Sequence, residues 1–507
     1  MATTRDIANR WPITVALMLA TLMNTLDSTI ANVALPHIQG SVSASQDQIT
    51  WVLTSYIIAA AIMTPLSGWL ALRIGRKLMF QISIVAFTIA SMLCGIATSL
   101  PEMVLFRLLQ GIAGASMMPL SQNVMLDLFP PEMLPRVISL WSAAIIMGPI
   151  LGPALGGWLT ENLSWRWVFF INVPIGILAY ITLQLYLDRD RGGLQRPFDF
   201  LGFGALVLFI GGLQFMLDRG PSQDWFTSPE IWTEAVFAAI GLWVFLVQTV
   251  SAPHPFFHRD LARDRNFVTT TTIGFFTGVL MFGTTALLPT MMQNLLGYSA
   301  LQSGWASMPR GLGSMLAFLA VPAALPILGP RLVLIIGLGL SLAATIAMTH
   351  FDLMMTASSI GNAGFIQGLG TGLLFAPLGA LAYVTLSPVH RTEGTIVSTL
   401  ARSLGSSVGI SLLQAYLIQQ SATAHAALNE HIRPSDPVFH AVIPSIMNPE
   451  SPIGAQLLNG EITRQAGMIA YDNAFSVVVV TILAMMPLIL LVRTPGKGPA
   501  IVEMRGE

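Results

Sequence analysis

The chain has 507 residues, 54% of them hydrophobic and only 10% charged, with a formal net charge of −1. Soluble domains carry about a quarter charged residues, so repeated apolar runs at this composition exclude an ordinary soluble domain and indicate a polytopic membrane protein. The near-zero charge provides no basic field for a nucleic-acid partner. The single cysteine, Cys94, excludes a disulfide framework and a CxxC metal centre.

In chain order, Arg5 and Arg10 precede a first apolar run from Trp11 to Pro36. That run is too long for a cleaved signal core and reads as a retained span. Fourteen spans are predicted, near 12–35, 49–72, 78–98, 101–126, 136–158, 166–187, 199–217, 231–250, 267–290, 303–326, 331–349, 356–386, 395–420 and 472–493. An even count places both termini on one side. With a cytoplasmic N-terminus, the inner segments collect Arg73, Arg76, Lys77, Arg136, Arg189, Arg191, Arg259, Arg263, Arg265, Arg331, Arg391 and Lys497, among others. The outer segments hold only Arg166, Arg219, Arg433 and Arg464. This asymmetry is the positive-inside rule, and it predicts cytoplasmic termini.

Three ionisable residues lie well inside predicted spans: Asp27, Arg107 and Arg310. Each costs roughly 2.5–3.5 kcal/mol to insert and is a functional candidate by default. Counted from the outer side, all three fall at similar depth, so an Asp27–Arg107 pair is expected. Two readings fit such a pair. It is either a structural lock between two helices or a proton-exchanging carboxylate tuned by a neighbouring guanidinium. A membrane potential supplies about 2.3 kcal/mol per charge per 100 mV to a proton cycle. Gln110, Gln122, Gln367 and Arg310 are candidates to line a substrate path.

The turn after the second span reads Gly68-Trp-Leu-Ala-Leu-Arg73-Ile-Gly75-Arg76-Lys77. It is either a plain basic cytoplasmic turn or a latch onto neighbouring helix ends. The fifth span holds Trp141 to Gly157, with Gly148-Pro149, Gly152-Pro153 and Gly156-Gly157. Proline inside a helix ordinarily costs about 3 kcal/mol or more. Glycine at every fourth residue leaves a bare face for another helix. Static close packing and a span that bends between states both explain the pattern.

An internal echo supports two halves. Gln110-Gly111 leads to Pro119-Leu120, and Gln367-Gly368 leads to Pro377-Leu378. With spans seven and eight set aside, these are the fourth helices of two six-helix bundles, an architecture of secondary transporters. The expected domains are 1–190, a two-helix linker over 191–266, and 267–507. The last includes an outer loop, 421–471, that is either disordered or a docking surface. His254 and His258 share helical spacing, but Pro253 and Pro255 place them in a loop, so they read as solvated rather than metal-binding. No cofactor is expected. An enzyme would need a cluster of His, Cys, Asp or Glu at membrane depth, and the sequence offers none.

These residues resemble a known family. Leu26-Asp27-Ser-Thr29-Ile-Ala-Asn32-Val-Ala34-Leu-Pro36, Gly68 to Lys77, Arg107-Leu-Leu-Gln110-Gly111 with Gly114, and the glycine-proline stretch of span five look like major facilitator motifs. Trp165-Arg-Trp-Val-Phe-Phe-Ile-Asn172-Val-Pro174-Ile-Gly176, and Leu213 to Gly220 followed by Asp224-Trp225-Phe226, are similar to the fourteen-span drug:proton antiporters of the EmrB/QacA type, closest to the EmrB branch. The resemblance implies an all-α major facilitator fold with two inserted central helices. It implies a bacterial inner-membrane protein that exports amphipathic compounds against protons, with Asp27 and Arg107 in the coupling. It also implies a periplasmic adaptor and an outer-membrane channel as partners. The alternative is an exporter of one metabolite, siderophore or fatty acid. One departure stands out: Leu72 occupies a position that is usually acidic in the loop motif. The corresponding turn of the second half, Leu328 to Arg331, keeps only Gly329 and Arg331 and carries no expected role.

Overall fold

The computed structural model describes residues 9–44, 46–49, 51–130, 132–188, 197–383, 385–387, 390–431, 447 and 451–492, and among them it contains helices and no strands. We label the long helices in chain order: α1 (Arg10–Val42), α2 (Trp51–Ile74), α3 (Arg76–Ile96), α4 (Leu100–Gly114 continuing through Met117–Leu128), α5 (Leu134–Asn162) and α6 (Trp167–Phe170 continuing through Asn172–Tyr186). Then follow α7 (Phe200–Arg219), α8 (Pro229–Ser251) and α9 (Arg265–Asn294). Helices α10 and α11 divide the stretch Ala300–Met348 at Gly329, where the backbone leaves helical geometry. The last three are α12 (Ala357–Ala382), α13 (Arg391–His431) and α14 (Pro452–Leu491). Among the described residues, 11 helical stretches are long and apolar enough to cross a membrane, the undivided α10–α11 stretch being one of them.

Local chemistry sets the boundaries. Ser99 caps α4 by accepting from the Glu102 N–H, with proline in the first turn. Ser299 and Gln302 form a reciprocal capping box at α10. The α2–α3 turn is made by Gly75 at φ 92°, and the α10–α11 turn by Gly329 at φ 73°. Both conformations favour glycine.

The segment 421–471, expected to be an outer loop, departs from expectation. Helix α13 continues through His431, and α14 begins at Pro452 rather than near 472. The reason is local: no glycine or proline interrupts 421–431. Pro452 sits at the start of α14, and Ser451 caps it by accepting from the Gly454 N–H. The two extensions meet, with Leu458 and Ile462 packed against Leu428 and Met447. His425 Nε2 lies 3.1 Å from Asn459 Oδ1. The predicted loop residues Arg433, Pro434, Asp436, Pro437, Asn448, Pro449 and Glu450 lie outside the described residues, as do the charges at Arg5, Arg189, Arg191 and Lys497.

The apolar interior is divided. One core joins residues between Ile273 and Val492, and two others lie within Leu26–Phe169 and Ile13–Leu187. Across the divide, α5 packs on the α10–α11 stretch and on α12, and α2 on α13. Helix α7 lies against both α2 and α13. Thr54 Oγ1 donates to Asp218 Oδ2 at 2.7 Å, and Gln214 Nε2 donates to Ser407 Oγ at 2.5 Å.

Candidate functional site

Five helices converge on Asp27. Arg107 Nη1 of α4 donates to Asp27 Oδ2 at 2.6 Å. Gln110 Nε2, one turn further on, donates to Asp27 Oδ1 at 2.8 Å, and Asn172 Nδ2 of α6 donates to the same oxygen at 2.7 Å. Arg107 also donates to Gln110 Oε1 (2.9 Å) and to the Val52 carbonyl of α2 (3.0 Å). Its guanidinium lies over the Tyr56 ring, 4.3 Å from the centroid. Helix α3 contributes Ser91, whose Oγ accepts from Asn172 at 2.9 Å. Asp27, Arg107, Gln110 and Asn172 are all 0% exposed, so this conformation seals the carboxylate from water. A carboxylate with three donors is well satisfied as the anion, and a lone buried carboxylate would not be. Asn172 and Tyr56 carried no assigned role in the sequence. For Asn172 the available signal was a polar residue inside the aromatic run of span six.

The glycine face of α5 lies on α1. A Cβ at Gly148 would come within 2.4 Å of Thr25 Oγ1, and one at Gly152 within 2.3 Å of Thr29 Oγ1. Thr29 Oγ1 donates across this seam to the Gly148 carbonyl at 3.1 Å. The helix is continuous through Gly148, Gly152, Gly156 and Gly157, while the side chains of Pro149 and Pro153 lie outside the described residues. The second half repeats the seam. On α13, a Cβ at Gly405 would meet the Phe275 carbonyl at 2.0 Å, and one at Gly409 would meet Val279 Cα at 2.7 Å, both on α9. This glycine pair carries no expectation from the sequence, although its four-residue spacing was the available signal.

The basic turn finds neutral and acidic acceptors that do not involve Leu72. Arg76 Nη1 bonds Asp127 Oδ2 at 2.5 Å, at the end of α4. Lys77 Nζ donates to the Gln184 carbonyl at 3.0 Å and to that of Leu187, at the end of α6. The Arg73 guanidinium sits 5.0 Å from the centre of the Trp69 ring. Gly68 faces the other half: a Cβ there would fall 1.8 Å from Ile396 Cδ1 of α13. The second-half turn does the same job as the first. Arg331 Nε donates to the Val492 carbonyl at 2.9 Å, at the end of α14. Cations are favoured at helix C-termini, where carbonyls lack partners.

A partly open cavity lies between the halves. Gln122 and Trp141 line it from α4 and α5, Thr271 from α9, Phe375 from α12, and Ser398 and Arg402 from α13. Of the four predicted path residues, only Gln122 lines it. Gln110 belongs instead to the Asp27 cluster. Arg310 is directed into its own half, where Nη2 donates to the Met281 carbonyl (2.8 Å) and to Thr284 Oγ1 (3.0 Å). Gln367 is buried, and its amide has no hydrogen-bond partner among the described residues. The echo between Gln110-Gly111 and Gln367-Gly368 is nevertheless structural. Gly111 abuts the Tyr56 carbonyl and Gly368 the Arg310 carbonyl. Arg310 therefore stands where the first half has Tyr56. Arg402 was missed in the sequence, although it is a charge eleven residues into α13.

His258 does not pair with His254. Its ring stacks on His390 at 4.3 Å, and its Nδ1 lies 3.2 Å from Asp260 Oδ2.

The profile of the Major Facilitator Superfamily matches residues 17–410. The fatty acid resistance protein FarB of Neisseria gonorrhoeae is 35% identical over 95% of this chain and 96% of its own length. The multidrug export protein EmrB of Escherichia coli K12 is 37% identical, over 85% and 84%. Among solved structures, the proton:xylose symporter XylE with bound 6-bromo-6-deoxy-D-glucose superposes at a TM-score of 0.59 with 13% identity, covering 95% of this chain and 99% of that one.

Proposed function

Because the chain belongs to the major facilitator superfamily, a family of transporters rather than enzymes, we propose that it is a proton-coupled exporter of amphipathic small molecules working by alternating access. The observation that carries this reading is the sealed cluster of Asp27, Arg107, Gln110 and Asn172 at the meeting of α1, α4 and α6. Asp27 exchanges the proton, and Arg107 pairs with it in this conformation. A motion that separates the two exposes the carboxylate to water and to protonation. The glycine seams of α5 on α1 and of α13 on α9 let these helices slide at van der Waals distance. The Gly68–Ile396 contact is a cytoplasmic closure that parts in the other state. Identity to EmrB supports a multidrug cargo. Identity to FarB favours, as the second reading, a dedicated exporter of a fatty acid.

In this reading all fourteen helices span the inner membrane of a bacterium, with both termini in the cytoplasm. Residues 1–190 and 267–507 are the two halves, and 191–266 is the linker pair. The paired helical extensions of α13 and α14 project into the periplasm and suit an adaptor that continues to an outer-membrane channel. Shortening 421–471 is expected to abolish co-purification with the adaptor, and undiminished binding would remove this hairpin as the dock.

Proteoliposomes test the main reading. Internal pH is followed as amphipathic compounds are added under an imposed pH step. Substrate-dependent proton flux is expected in the wild type and is lost in Asp27→Asn. Flux that survives in that variant would reduce Asp27 to a structural role.

A further inference from the structure

The cavity between the halves has one sign of charge. Arg402 is the only charged side chain among its described lining residues, none of which is a carboxylate. A guanidinium stays protonated in any protein setting. Elsewhere at membrane depth the guanidiniums are already provided for, Arg107 by Asp27 and Arg310 by two neutral oxygens. Arg402 has no protein counter-ion among the described residues that line the cavity. Its guanidinium stacks on the Phe375 ring, 4.8 Å from the centroid. Stacking uses the face of the group and leaves its in-plane N–H donors directed outward. Beside it lie the Ser398 and Thr271 hydroxyls and the Gln122 amide, with Trp141 and Leu378 on the apolar wall.

We infer that this cavity selects amphipathic anions, with Arg402 pairing the carboxylate or sulfonate and Phe375, Trp141 and Leu378 receiving the apolar body. The inference rests on the export reading for its biological meaning, but not for its chemistry. An unpaired cation in a low-dielectric site is costly until an anion arrives. A planar carboxylate matches the fork of donors bidentately. A cationic amphiphile meets repulsion, and a neutral one leaves Arg402 unpaired.

Equilibrium binding to the purified full-length protein tests this with three probes of one shape: 2-naphthoate, 2-naphthamide and 2-naphthylmethylammonium. The wild type is expected to bind the carboxylate about tenfold or more tightly than either of the others, the scale of a charged hydrogen-bonded pair. Arg402→Gln loses the preference, and Arg402→Lys keeps part of it. Gln122→Glu places a carboxylate in the same cavity and removes the preference with Arg402 intact, so a folding failure of Arg402→Gln leaves the test standing. Equal binding of the three probes by the wild type, or an undiminished carboxylate preference in Arg402→Gln or in Gln122→Glu, overturns the inference. Binding is measured without a gradient. Charge-selective binding without proton flux would therefore reject the antiport reading alone.

Discussion

Asp27 and Arg107 form a pair whose members are useful only together. Removing one partner of a buried ion pair leaves an uncompensated charge, at a cost of about 3–5 kcal/mol. Arg107→Ala is therefore expected to lower thermal stability in detergent sharply. The double variant Asp27→Asn with Arg107→Gln should recover much of that loss. A double variant as unstable as the sum of the singles would show that the two residues act separately. Arg107→Lys is not conservative here. The native side chain bonds Asp27 and Gln110 through Nη1 and the Val52 carbonyl through Nε, and lysine has a single nitrogen.

The elements depend on where glycine permits close approach. At Gly152 the main obstacle to a side chain is Thr29 Oγ1, at 2.3 Å, with Thr29 Cβ at 3.1 Å behind it. Gly152→Ala should weaken the α1–α5 seam, and Thr29→Ala should restore most of the lost stability by removing that oxygen. No rescue would mean that the backbone approach sets the cost. Gly75 and Gly329 turn the chain at positive φ, so an alanine at either is expected to cost about 1–3 kcal/mol by unfolding midpoint. In the α14 extension, Arg464 donates to Glu461 at 2.9 and 3.0 Å. These bonds hold the Glu461 carboxyl below the usual carboxylate range. A lowered folded-state pKa contributes stability above the unfolded value, and that stability is lost as pH falls through the folded value. Amide exchange over 452–471 should accelerate on acidification through that window, and Glu461→Gln should flatten the change. The effect is small, because exposed pairs are worth about 0–1 kcal/mol.

For the whole molecule, the decisive contact joins the halves. Gly68 of α2 lies against Ile396 of α13. Gly68→Cys with Ile396→Cys should cross-link under mild oxidation, arrest transport, and recover on reduction, since the native Cys94 is buried. Transport unaffected by a formed cross-link would show that this contact does not part during the cycle.

Much was legible in the sequence, because a bilayer leaves few options for the backbone. Run lengths located the helices, arginine placement predicted an orientation, and the depth of Asp27 and Arg107 anticipated their pair. The family was legible in motifs that are local in sequence. Tertiary structure decided the rest. It brought Asn172 and Tyr56 to the buried pair, turned Gln110 away from the cavity and into the cluster, and placed Arg402 as the one charge among the described residues that line the cavity. It also made Arg331 the counterpart of Lys77, with each capping a sixth helix from a turn of different sequence. The physical reason is that insertion energy depends on each residue's own depth and can be read one segment at a time. Partnership depends on which helix faces which, and that is fixed only when all the helices pack together.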